Sequence, residues 1–388
     1  MILRDEVERT IDDWNSHEIE RRGTGIITYD CSPDDYQAFS RNRLTTLERL
    51  ESLAVAAEQQ GNSELTTAIQ SNIAYLRAIL GERLSLSEYI KATQGSEIGR
   101  WRPDYLDERR AIALEQLDTI GIAWNKETRA EVENFEGALS ITDVPDALRQ
   151  EAARLLPDLR KATGTTAGYE LSIELVDIDA YWAYWVDVVR DQAHLRLNRK
   201  NSSFTPTRIR QFAVHEILGH ALQCASFYAT CTKGPTSWLR KFSVFGNHQV
   251  LFEGLAQALP LFIAPDDYRL LAHVYLDHYL QLVRAELHVA INDGTGVQEC
   301  ATLARRLVPF WTNSNIADML ADRSVDPLLR SYLWSYPAGV DWFVALAEDA
   351  PDSTRQAVLR ACYEAPRTPA QLHALWPERR SSRSPQPV

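Results

Sequence analysis

A chain of 388 residues with 45% apolar and 24% charged residues can build one large or two modest domains around a proper core, with the composition of an ordinary soluble protein. Its formal charge of −12 excludes a protein that holds phosphate backbones by bulk electrostatics, and no basic run is interleaved with aromatics, so nucleic acid is not an expected partner. No apolar run approaches the ~20 residues of a membrane span.

The start, MILRDEVERT, is charged by its fourth residue, unlike a secretory leader. Five scattered cysteines with no C-x-x-C pair fit reduced thiols, so the expected location is the cytoplasm.

Residues 1–165 read as successive amphipathic helices, a scaffold or covering region. Ser32-Pro33-Asp34-Asp35 is taken as a helix start, and Gly81, Gly95 and Gly121 as punctuation. The texture changes near 166, where a zinc catalytic region is expected to run to 377. The aromatic stretch AYWAYW is taken as core. AHLRLN (193–198) alternates polar with apolar residues and is the clearest strand candidate. Thr205-Pro206 then opens a helix that runs through RQFAVHEILGHALQ, and helices return from about 249. The tail 378–388 is polar, Pro/Ser-rich and expected to be disordered.

The chemistry concentrates in His215-Glu216-Ile217-Leu218-Gly219-His220. Five residues of regular α-helix turn a side chain through about 500°, leaving the two histidines some 140° apart. Either they are one surface and one core histidine, or the helix carries a π-type turn that restores a shared face. Gly219 is a residue type that tolerates such a distortion. The metal reading needs a third ligand and a general base. Glu216 directly follows the first histidine, as the base does in H-E-x-x-H enzymes. Glu253 stands in the otherwise apolar LFEGLAQALP, where a carboxylate is costly to bury unless paired or bound to metal. His194, His248, His273 and His278 are read as structural or exposed, with His248 the best exception.

HEILGH resembles the HExxGH helix of dipeptidyl-peptidase III. The wider pattern is similar to a bacterial family of metallopeptidase-like proteins labelled domain of unknown function 885. That family carries an HExxPGH-x-x-Q helix, an E-G-W-A helix, a helix with a late Arg and His, and a Tyr-x-x-Gly segment. Here the counterparts are His215 to His220 with Gln223, Glu253-Gly254-Leu255-Ala256, Arg284 with His288, and Tyr336 to Gly339. AHLRLN, closing on Asn198, resembles the family's edge strand. The match covers roughly 190–340; Leu218 replaces the family's Pro, Leu255 replaces its Trp, and the chain is shorter than typical members.

The resemblance implies a mainly α, gluzincin-like metallopeptidase fold with a small β-sheet edge before the motif helix. It implies Zn²⁺ held by His215, His220 and Glu253, with Glu216 as general base and Tyr336 and His288 as oxyanion donors. Asn198 and Arg284 would bind a short peptide or peptide-like substrate, in a protein with no nucleic-acid or membrane partner; the oligomeric state stays open. The alternative is a gluzincin-fold protein that keeps the metal but has lost peptidase activity.

Overall fold

The computed structural model describes residues 2–179, 183–379 and 386–387. The protein is mainly helical with a small mixed sheet. The N-terminal stretch comprises α1 (Leu3–Arg22), β1 (Tyr29–Asp30), α2 (Arg43–Gln59), α3 (Ser63–Ile79), α4 (Leu86–Gln94) and β2 (Gly99–Arg100). It continues through α5 (Pro103–Thr119), α6 (Thr128–Glu136) and α7 (Val144–Thr163). Next come β3 (Glu170–Val176), β4 (Tyr184–Val189), β5 (Gln192–Asn198), α8 (Pro206–Phe212), a π-helical segment (Ala213–Ala221), α9 (Leu222–Lys233) and β6 (Lys241–Phe242). The remaining helices are α10 (Gln249–Ala258), α11 (Pro260–Ile263), α12 (Tyr268–Asn292), α13 (Val297–Leu307) and α14 (Asn313–Ser324). They are followed by α15 (Pro327–Tyr332), α16 (Ser335–Asp349), α17 (Asp352–Glu364) and α18 (Pro369–Leu375), with β7 (Gln386–Pro387) paired antiparallel to β2. Of the tail expected to be disordered, 380–385 and 388 lie outside the described residues.

Most boundaries follow local chemistry. Ser85 and Glu88 form a reciprocal capping box at the start of α4, and Gly95 ends it in the left-handed conformation with φ 64°. Thr205 accepts the Arg208 N–H and Pro206 opens the first turn of α8, as expected. The start at Ser32-Pro33 is corrected. Asp30 Oδ1 accepts the Ser32 N–H in a local turn after β1, and α2 begins only at Arg43, where Asn42 caps it by accepting the Thr45 N–H.

The sheet order is β3-β5-β4-β1-β6. AHLRLN is therefore not an edge. As β5 it pairs parallel with β3 and antiparallel with β4, which buries Leu195 and Leu197 fully. β1, from the N-terminal stretch, runs parallel to β4 and antiparallel to β6, so residue 29 enters a sheet whose other strands lie beyond 169. The largest apolar core lies between this sheet, the π segment and α7, α10, α16 and α17. All five cysteines are buried and unbridged. Among the described residues no helix is long and apolar enough to cross a membrane.

Candidate metal centre

The extra residue in HEILGH is absorbed by a π segment over Ala213–Ala221. The Leu222 N–H reaches the Ile217 carbonyl, five residues back, instead of four. Such winding disturbs the local carbonyl pairing, and Tyr363 on α17 donates its hydroxyl to the Leu218 carbonyl at 2.8 Å. Gln223 Nε2 donates to the Cys362 carbonyl, a second tie from the motif helix to the same helix. Gly219 is required for packing: a Cβ there would stand 2.7 Å from Ala256 Cβ on α10. The motif helix and the Glu253 helix thus approach until only glycine fits against the Ala256 methyl.

The result is convergence. His215 Nε2 and His220 Nε2 lie 3.1 Å apart. Glu253 Oε2 lies 3.4 Å from His215 Nε2 and 3.9 Å from His220 Nε2. Glu216 Oε1 stands 3.7 Å from His215 Nε2, and all four residues are buried.

A second glycine pair brings in the tyrosines. A Cβ on Gly254 would meet Gly339 at 2.4 Å, and one on Gly339 would meet the Val250 carbonyl oxygen at 2.2 Å. α10 and α16 therefore cross backbone to backbone. Close to this crossing, Tyr332 donates its hydroxyl to Glu253 Oε1 at 2.7 Å. The Tyr332 and Tyr336 hydroxyls lie 2.8 Å apart, and both act on Glu253. Tyr332 was missed in the sequence. Its signal was the spacing Tyr332-x-x-x-Tyr336, which places two phenols one helical turn apart.

Electrostatics separates the two carboxylates. Burial pushes Glu216 up to about 7; His215 opposes this and Glu253 adds to it. Burial also acts on Glu253, but the 3.4 Å contact with His215, the two imidazoles and the Tyr332 hydroxyl outweigh it and hold the carboxyl at about 2. Burial lowers His220 to about 3. For His215 burial is outweighed by Glu216 and Glu253, which raise it. The two carboxyls are thus pushed apart, Glu216 toward neutrality and Glu253 held as an anion.

These residues fit a metal ion. Two imidazole nitrogens each about 2.0–2.1 Å from one tetrahedral ion sit about 3.3 Å apart, close to the spacing found here. Glu253 Oε2 is buried and has no hydrogen-bond partner, although its other oxygen is fixed by Tyr332. A buried carboxylate oxygen facing two imidazole nitrogens without a donor is an incomplete site.

A cavity of about 590 Å³ opens on this cluster, lined by His215, Glu216, His220, Glu253, Tyr332 and Tyr336. Arg284 also lines it. Two expected site residues do not. His288 is wholly buried, packed edge-on against Trp334, and lies outside the cavity wall. Asn198 is wholly buried at the end of β5, where its Nδ2 donates to the Ile178 carbonyl and braces the chain between β3 and β4. The aromatic stretch is corrected in part. Tyr184 and Trp185 line the cavity instead of the core, while Ala180, Tyr181 and Trp182 lie outside the described residues. Residues of α6 in the N-terminal stretch, Arg129, Val132 and Glu133, also face the cavity.

No protein-family model matches the sequence, and no curated protein matches it either. Among solved structures, the fold is similar to the "putative lipoprotein from Colwellia psychrerythraea", with a TM-score of 0.54 and 12% identity over 87% of this chain. This chain spans 64% of that protein's length. Metallocarboxypeptidase 1 of Trypanosoma cruzi aligns more loosely, with a TM-score of 0.35 and 11% identity over 96% of this chain and 92% of that one.

Proposed function

We propose that the protein is a zinc-dependent hydrolase of peptide or amide bonds, acting on a short peptide or peptide-like molecule. The observation that carries this reading is the convergence of His215 Nε2, His220 Nε2 and Glu253 Oε2 beside a second buried carboxyl, Glu216. His215, His220 and Glu253 would hold the ion. When bound, zinc polarises a carbonyl and makes a water more acidic. Glu216 lies on the cavity wall with an elevated proton affinity, suited to take a proton from water and hand it to a leaving amine. Tyr336 can turn its hydroxyl from Tyr332 toward an oxyanion, while Tyr332 keeps Glu253 oriented. β4 contributes Tyr184 to Val186 to the cavity, so an extended substrate would lie along β4, not along β5. His288 and Asn198 have no part in this scheme.

The alternative, a protein that holds metal without hydrolysing anything, has no use for Glu216. Elemental analysis of protein purified without added metal is expected to give about one zinc per chain; folded, chelator-free protein with none ends the proposal. Glu216→Gln is expected to keep the zinc and to abolish turnover of a dipeptide and amide panel, and unchanged turnover removes Glu216 as the base.

A further inference from the structure

The cavity wall carries a second set of charges that the hydrolytic chemistry leaves unused. Arg284, on α12, and Arg323, at the end of α14, both face it. Arg323 is only 5% exposed, its Nε has no hydrogen-bond partner, and its Nη1 touches the Met319 carbonyl at 3.3 Å. Arg284 lies over the Trp311 ring at 5.6 Å. Among the described residues neither forms an ion pair.

Two other buried arginines are neutralised by acids, and a third, Arg330, is held by Asn292 Oδ1 and the Leu84 carbonyl. Arg240 binds Glu8 and Asp34, and Arg109 binds Glu348. The acids that act on the pair form no ion pair with it among the described residues. Asp277, which accepts from Gln211 Nε2 at 2.6 Å, offsets the charge of Arg284 only in part, and Asp322 does the same for Arg323. Burial, and then the charge of Arg284, brings Arg323 down to about 9. A buried cation beside a half-buried one, neither of them in an ion pair, is costly, and the cost is recovered when an anion arrives at both. The planar guanidinium fork matches a carboxylate, which can accept two parallel hydrogen bonds.

We propose that Arg284 and Arg323 form a carboxylate subsite, which makes the substrate an anionic peptide-like molecule. Its carboxylate is held on this wall while its scissile carbonyl reaches the His215–His220–Glu253 cluster. The substrate class rests on the hydrolase reading; the subsite itself does not. Arg284 is electrostatically coupled both to Arg323 and to Tyr336, so the subsite and the oxyanion donor belong to one continuous wall.

The test uses succinate as the probe, titrated into the protein as purified, with sodium chloride matched for ionic strength. Thermal unfolding and the tryptophan fluorescence to which Trp311 contributes report binding. The expected result is a saturable rise in Tm with succinate beyond that with chloride, weakened about tenfold or more by Arg284→Gln and by Arg323→Gln. Without succinate, Arg323→Gln should be at least as stable as the parent, because it removes an unpaired buried cation. If that variant does not fold, Arg284→Gln decides alone, since its side chain is only half-buried. Three results overturn the subsite: no effect of succinate on the parent, an equal effect in the arginine variants, or an effect that chelation abolishes while the variants retain it. Hydrolysis fails independently, since succinate can bind a chain that holds no zinc and turns over nothing.

Discussion

Two buried clusters of this protein contain the same residue types and differ in whether they are complete. At the candidate metal centre, two imidazoles and a carboxylate converge and leave Glu253 Oε2 without a donor. At Asp341 on α16, a wholly buried carboxylate accepts from Tyr105 Oη at 2.6 Å, His278 Nε2 at 2.9 Å, Trp101 Nε1 at 3.2 Å and Arg379 Nη2 at 2.9 Å. Every lone-pair direction there is used, and the donors come from α5, α12 and the segments after α4 and α18. A complete cluster of this kind ties elements together. An incomplete one in a cavity wall waits for a ligand. The histidine content alone distinguishes neither, since His278 and His220 are both almost fully buried.

The comparison predicts opposite responses to substitution. Asp341→Asn strands His278 and Arg379 in the interior and is expected to cost about 3–5 kcal/mol in urea unfolding, while the folded fraction keeps its metal. Burial works against the Asp341 charge, but the His278 hydrogen bond and the Arg379 charge prevail and hold its carboxyl below the ordinary value. A lowered carboxyl stabilises the fold above the unfolded-state pKa of about 3.9, and that contribution is lost as pH falls through the folded value. The gap between parent and Asp341→Asn should therefore be constant near neutrality and shrink below about pH 4. A gap that widens on acidification contradicts the assignment.

Gly339→Ala tests the link between the two clusters, because α16 carries both Asp341 and Tyr336. The added methyl meets the Val250 carbonyl oxygen and the Gly254 backbone. The expected cost is about 1–3 kcal/mol, with weaker metal binding as α10 is pushed away. Full metal affinity in a destabilised Gly339→Ala would mean that the crossing supports the fold and not the centre.

How much of this was legible follows from the range of each signal. The π segment was legible because a five-residue spacing of two histidines has no regular-helix solution. Glu253 was legible because a carboxylate in an apolar run has few reasons to be there. The position of AHLRLN was not: alternation marks a strand, but its neighbours come from β3 and β4, and pairing is settled outside the strand. Arg323 closes the ordinary amphipathic helix ADMLADRS, where a basic last turn reads as solvated. Only the cavity formed with α12 reveals it as buried and unpaired. His288 shows the converse: a motif position four residues after Arg284 on one helix faces the same side, yet lies one turn deeper, behind the cavity wall.

The smallest expected effect is the most specific. Tyr332→Phe removes one hydroxyl, leaves the ring in place, and should change stability by no more than about 1 kcal/mol. It takes from Glu253 Oε1 the donor that turns Oε2 toward His215 and His220. Loss of such an orienting partner lowers metal affinity by about 10–100-fold, measured by competition with a chromophoric chelator. Tyr336→Phe provides the contrast, because the 2.7 Å bond to Glu253 Oε1 is made by Tyr332, and Tyr336 supports it from 2.8 Å behind. It should leave affinity nearly unchanged and lower turnover by about 10²–10³-fold. If the two variants lose affinity equally, the tyrosines act as one unit on Glu253, and Tyr336 is no longer free to serve the oxyanion.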